Sequence, residues 1–183
     1  QLVSADNSCN LILDFEKGKS HNHPTFALWL ANANGKYIET LFVTRAIGQG
    51  VFNYGDKSGD QWKPGAVRRP AALPVWSHAR GIKAADGLYV PDESTRVADA
   101  VSGATPKGSF ELIAGSNLES GKTYKLRFEI NQTWDWNNFW TNNKYNDDVN
   151  YKTSCQPSLV YEDEIKAGKT PEMLSDEAIF RAT

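Results

Sequence analysis

The stretch TFALWLANANGKYIETLFV, residues 25–43, leaves the chain few choices. Phe26, Leu28 and Leu30 alternate with Ala27, Trp29 and Ala31, and a period of two sends successive side chains to opposite faces of a strand. Asn34-Gly35 follows at once. That pair tolerates the positive φ angles of a type I′ turn, so residues 37–43 are expected to return as an antiparallel partner.

The same alternation recurs along the chain. Leu11, Leu13 and Phe15 share one face, with Asn10, Asp14 and Glu16 opposite. Tyr124, Leu126, Phe128 and Ile130 are expected to point inward, and Thr123, Lys125, Arg127 and Glu129 outward. GSFELIA and SLVYEDEI read as two further strands. The expected class is all-β, an antiparallel sandwich in which each sheet keeps one wet face. Its core should hold Leu11, Leu13, Phe15, Phe26, Leu28, Leu30, Phe42, Phe110, Leu112, Tyr124, Leu126, Phe128 and Ile130.

Helix is scarce. Pro70 is placed to open a short helix in PAALPVWSHAR, with Pro74 limiting it to a turn or two and Gly81 capping its end. Thr170-Pro171 is placed to start another in PEML, with Thr170 as N-cap. Residues 47–70, rich in Gly, Lys and Asp, read as a long surface loop.

A chain of 183 residues is expected to be one domain with elaborated loops, an insert at 47–97 and an aromatic loop at 131–157. Its net charge of −2 supplies no electrostatic footing for nucleic acid, and no apolar run nears the roughly 20 residues that span a bilayer. A start at Gln1 instead of Met is what a processed or trimmed chain would show. Cys9 and Cys155 would, if bridged, close a loop of roughly 145 residues, worth about 4–5 kcal/mol in the chain-entropy model. Two buried free thiols are the other reading.

FALWLANANGKYIETLF resembles the strand, turn and strand of the immunoglobulin-like module in flagellar hook-capping proteins. ATPKGSFELIAGSNLESGKTYKLRFEI resembles that module's later strands, and DAVSGATP lies between the two. The pattern is similar to a family of predicted periplasmic, hook-capping-like proteins and covers roughly residues 24–161. The resemblance implies an Ig-like sandwich and an exported chain, periplasmic or extracellular, with any signal sequence removed. It brings no catalytic residues. The insert and the aromatic loop depart from the plain module.

Residues 131–148, NQTWDWNNFWTNNKYNDD, crowd Trp134, Trp136, Phe139, Trp140 and Tyr145 among amides and carboxylates. Leaving four such rings bare would create an apolar patch that monomers rarely carry. They are therefore expected to fold back as a lid, with the short polar side chains serving the loop's own backbone. The alternative keeps one or two tryptophans exposed as a stacking platform in a carbohydrate or peptide groove.

Other constellations carry less. His21, His23 and His78 are metal candidates, although exposed histidines in a loop before a strand are the commoner explanation. Asp56, Ser58 and Asp60 alternate oxygens as calcium loops do, without the twelve-residue pattern. Ser77 and His78 are neighbours in sequence, which does not set hydroxyl against imidazole, and no cofactor is implied. Arg68, Arg69, Trp76 and His78 form either a cationic patch for an acidic ligand, or a plug of Trp76 and Leu73 with the arginines bridging to surface acids.

Three classes follow. A non-enzymatic exported binding or assembly module of unknown ligand leads, its partner a protein or a carbohydrate; a carbohydrate-binding module comes next, and a hydrolase third. Sandwiches carry function on loops, so the expected site is a seam where the insert meets the aromatic loop. Trp62, Trp76 and His78 would lie near Trp134, Trp136 and Trp140, with Arg68 and Arg69 against Asp135, Asp147 or Asp148.

Overall fold

The computed structural model describes residues 9–98, 101–133, 135–154 and 157–168. Trp134, Cys155 and the expected helix at 170–174 lie outside them, as does the side chain of Cys9. The order is β1 (Cys9–Phe15), β2 (Thr25–Asn32), β3 (Tyr37–Thr44), α1 (Arg45–Gln49), β4 (Val51–Ser58), β5 (Gln61–Ala66) and α2 (Pro74–Arg80). Then come β6 (Ser102–Gly103), β7 (Phe110–Ser116), β8 (Thr123–Asn131), α3 (Val149–Ser154) and β9 (Leu159–Lys166). The chain is β-rich with few short helices, none of them, among the described residues, long and apolar enough to cross a membrane.

The alternating segments pair as their patterns require. β3, β2, β8 and β9 lie side by side and antiparallel, and β6 adds a short parallel edge to β3, so this five-stranded sheet is mixed. β1 and β7 pair antiparallel as a second sheet, with Leu13 opposite Leu112. Between the two sheets lies one aromatic core. Leu28 sits opposite both Phe42 and Phe128, and Phe15 stacks on Phe110 at 4.6 Å. Every residue expected in the core is in or packed against this cluster.

The reversal between β2 and β3 uses other chemistry than expected. A type I′ turn needs positive φ at both central residues, but Gly35 has it (φ 81°) and Asn34 does not. Instead Asn32 closes the turn, its carbonyl accepting from Gly35 N–H and its Oδ1 from Asn34 and Lys36 N–H.

The expectation of one wet face per sheet is corrected. β2 is buried along nearly its whole length on both faces. Trp29, fully buried, belongs to a second core with Val43, Ile47, Leu73 and Trp76. The insert supplies that cover. Residues 47–70 are thus no plain loop: part of α1 leads into a hairpin of β4 and β5. Gly55 and Gly65 disguise the hairpin by breaking its alternation, yet the strand backbones pass so closely there that a Cβ on Gly55 would strike Gly65 O.

α2 begins at Pro74, not Pro70, because a residue before proline is pushed out of the helical region; Leu73 has φ −134° and ψ 64°. Gly81 caps the end as expected, its N–H donating to His78 O. The helix lays Trp76 on the face of the central sheet, not across an end of the sandwich. Its indole Nε1–H donates to Thr40 Oγ1 at 3.0 Å.

Trp76→Ala should therefore cost about 3–5 kcal/mol, the range for deleting a large buried ring. Ile12→Ser, on the exposed outer face of β1, should stay within about 0.5 kcal/mol. Guanidinium unfolding decides, and equal midpoint shifts would remove α2 from the core.

Candidate functional site

The aromatic loop leaves β8 after Asn131 and is organised by its own polar side chains. Asn137 Oδ1 accepts from the N–H groups of Phe139 and Trp140 at 2.9 and 2.8 Å. Asp148 Oδ1 accepts from Asn150 and Tyr151 N–H and so opens α3. Asparagine and aspartate favour such local backbone bonds.

The rings gather on one another. Tyr151, buried, is their hub, with ring centroids 5.7 Å from Trp136, 6.3 Å from Trp140 and 4.9 Å from Tyr145. Its hydroxyl donates to Thr141 O at 2.5 Å. Lys144 lies over the exposed Phe139 ring, 3.3 Å from its centroid, and 4.5 Å from that of Trp140. Tyr151 escaped the sequence reading because it sits beyond the aromatic run, in a helix of only six residues.

Between this cluster and the end of the five-stranded sheet runs a groove of about 350 Å³. Trp140, Asp135 and Asn137 line it from the loop, and Gln132, Leu159 and Tyr161 from the sheet side. Gln132 is held rigidly there, its Oε1 accepting from Asn22 N–H and its Nε2 donating to Ser20 O. One indole and one phenol thus stand among amides and a carboxylate, a surface that offers both a flat apolar face and hydrogen-bonding edges.

The expected seam is only partly present. Asp135 and Trp140 are in the groove, and Trp136 packs on Tyr151 beside it. The insert residues lie elsewhere. Trp62 is 55% exposed on the β4–β5 hairpin, Trp76 is buried under α2, and His78 stacks on Tyr89 at 4.3 Å. Arg68 pairs with Asp86 and donates to Val90 O, in place of the expected Asp135, Asp147 or Asp148. The physical reason is proximity: a turn at Asp86–Leu88 brings that carboxylate back within the same insert. Arg69 lies over the Phe52 ring at 4.1 Å, and burial lowers its pKa.

The metal and nucleophile candidates disperse as well. His21 donates from Nε2 to Pro106 O, while His23, at φ 52°, contacts Asn22 Oδ1. Among the described residues no three His, Cys, Asp or Glu side chains are grouped to hold a metal. Ser77 Oγ and His78 Nδ1 both bond to Pro74 O and so are not set against each other.

Glu129, expected to point outward, is fully buried instead. Its face of β8 is the one the insert covers. Oε2 accepts from Trp76 N–H at 2.6 Å, and Oε1 from Val75 N–H at 3.1 Å and Ser158 Oγ–H at 2.5 Å. One carboxylate therefore ties β8, the first turn of α2 and the chain just beyond the aromatic loop. Burial pushes its pKa up despite those three donors.

Comparison with known proteins adds no relative: no family model, curated protein or solved structure matches the chain.

The raised Glu129 pKa sets a pH dependence. The native state holds this proton to higher pH than the unfolded chain does. The stability it contributes is complete below the ordinary value of 4.5 and is lost as pH rises through the window above it. Glu129→Gln should flatten that decline, and it should cost about 1–3 kcal/mol because an NH₂ now faces a backbone N–H. Urea midpoints across pH 4–8 test both, and an unchanged pH profile would dissociate Glu129 from it.

Proposed function

We propose that this chain is an exported, non-catalytic binding module that takes a carbohydrate in the groove beside Trp140. The carrying observation is the groove itself. At about 350 Å³ it falls in the range of small-ligand sites, and it sets an indole and a phenol among amides and a carboxylate. A sugar ring presents an apolar face of C–H groups and a rim of hydroxyls, and this lining complements both. Rigid support favours binding too, since Gln132 is tied into the neighbouring loop and Asn137 into the turn that carries Trp140.

Resemblance to the hook-capping-like periplasmic family supports export and an Ig-like lineage. Two sheets packed across a phenylalanine core are in keeping with that lineage. A hydrolase built on a serine nucleophile would need Ser77 and His78 facing each other, whereas both engage Pro74 O. A second reading, docking of a protein partner, is favoured by the β4–β5 hairpin, where Tyr54 is 75% and Trp62 55% exposed.

The two readings separate by mutation. Trp140→Ala and Asp135→Asn should each weaken oligosaccharide binding about tenfold or more, while Trp62→Ala and Lys125→Ala leave it unchanged. Titration calorimetry against a panel of neutral oligosaccharides, with tryptophan fluorescence as a second readout, makes the comparison. A panel without a single binder, or a loss at Trp62 equal to that at Trp140, would turn the argument toward the hairpin.

A further inference from the structure

Adjoining the groove, and sharing Pro24, Ile130 and Tyr161 with it, is a notch of about 40 Å³ between the two sheets. Phe15, Phe26, Phe110 and Phe128 wall it. Its size is selective. It exceeds the roughly 10–15 Å³ that one water requires, and falls well short of the roughly 150 Å³ cavity that admits benzene. Its chemistry is selective as well, since the surface it presents is mostly apolar and gains by receiving an apolar group. A sugar hydroxyl has no partner among phenylalanines. A methyl or ethyl group does.

Glu16, Lys17 and His21 stand at the notch beside the phenylalanines, and the contact of His21 is defined in its hydrogen-bonding sense. His21 contacts Pro106 O through Nε2 at 2.9 Å. A carbonyl can only accept, so Nε2 donates, and that bond holds the ring in the notch wall. A methyl-sized apolar notch opening off a polar groove complements an acyl amide, whose polar part stays in the groove while its short alkyl end is buried.

We infer that the carbohydrate bound in the groove is an N-acetylated amino sugar. Its ring lies beside Trp140 and its acetyl methyl enters the notch. This rests on the carbohydrate reading of the groove and adds the chemical class of the ligand.

The test compares N-acetylglucosamine trisaccharide with the corresponding glucose trisaccharide by titration calorimetry on the full chain. Burying one methyl predicts about fourfold tighter binding of the acetylated sugar. Gly108 lines the notch, and a Cβ there would meet nothing within 4 Å. Gly108→Leu should fill the space and erase the difference while leaving the glucose trisaccharide as it was. An N-hexanoyl analogue, too long for the notch, should lose the gain in the unmodified protein, which keeps the inference testable should the Leu variant fail to fold.

Equal affinity of the acetylated and glucose sugars would overturn the acyl inference and leave the carbohydrate reading standing. Binding of neither would overturn both. N-acetylglycine methylamide binding as tightly as the trisaccharide would overturn both as well, because the amide alone would then suffice.

Discussion

A strand with no wet face has to be covered twice, and β2 imposes that condition on everything around it. Phe26, Leu28 and Leu30 turn toward β1 and β7, while Ala27, Trp29 and Ala31 turn the other way. A two-stranded sheet covers the first face. The second needs a layer that an ordinary sandwich does not contain, and the insert provides it. Apolar surface left in water would cost on the order of 25 cal/mol per Å², so the insert is part of the fold and not an ornament upon it. Ala27 and Ala31 flank Trp29 and leave room for its ring. Leu73 and Trp76 then close the layer from α2.

Covering a sheet with a segment of short, separate elements raises the question of what holds that segment in place. Much of the answer is polar. Glu129 stands where the insert, the central sheet and the start of β9 meet, and its two oxygens receive three donors. A buried carboxylate is costly unless it is so satisfied. Once satisfied it permits one placement of α2 and few others. The Trp76–Thr40 hydrogen bond and Arg80, whose Nη2 donates to Thr95 O, act in the same direction.

The aromatic loop solves a different problem. Among the described residues its rings join neither core layer; they pack around Tyr151, and the backbone between them is turned by Asn137 and Asp148. Such self-contained packing leaves the loop standing beside the sheet and not pressed flat on it. The gap between them is the groove. Trp140 is shared between the cluster and the gap, which is how one ring can be both anchored and available.

How much of this was legible beforehand follows from the range of the interactions. Alternation and turn residues act over a few positions, and they determined the strands, the aromatic core and the Gly81 cap. The same range holds the double burial of β2, since TFALWLA is apolar on both phases, the mark of a strand covered on both faces. Asp135 and Trp140 were expected at a seam with the insert, and they line a groove against the sheet end instead. Other features depended on contacts between distant segments. The partner of Arg68, the hub role of Tyr151 and the burial of Glu129 each required knowing which segment lies across from which. Glu129 shows the reason most simply. Its place in the alternation set the face of β8 it occupies, but whether that face meets water or the N–H groups of Val75 and Trp76 was decided by where a segment more than fifty residues away in sequence came to rest.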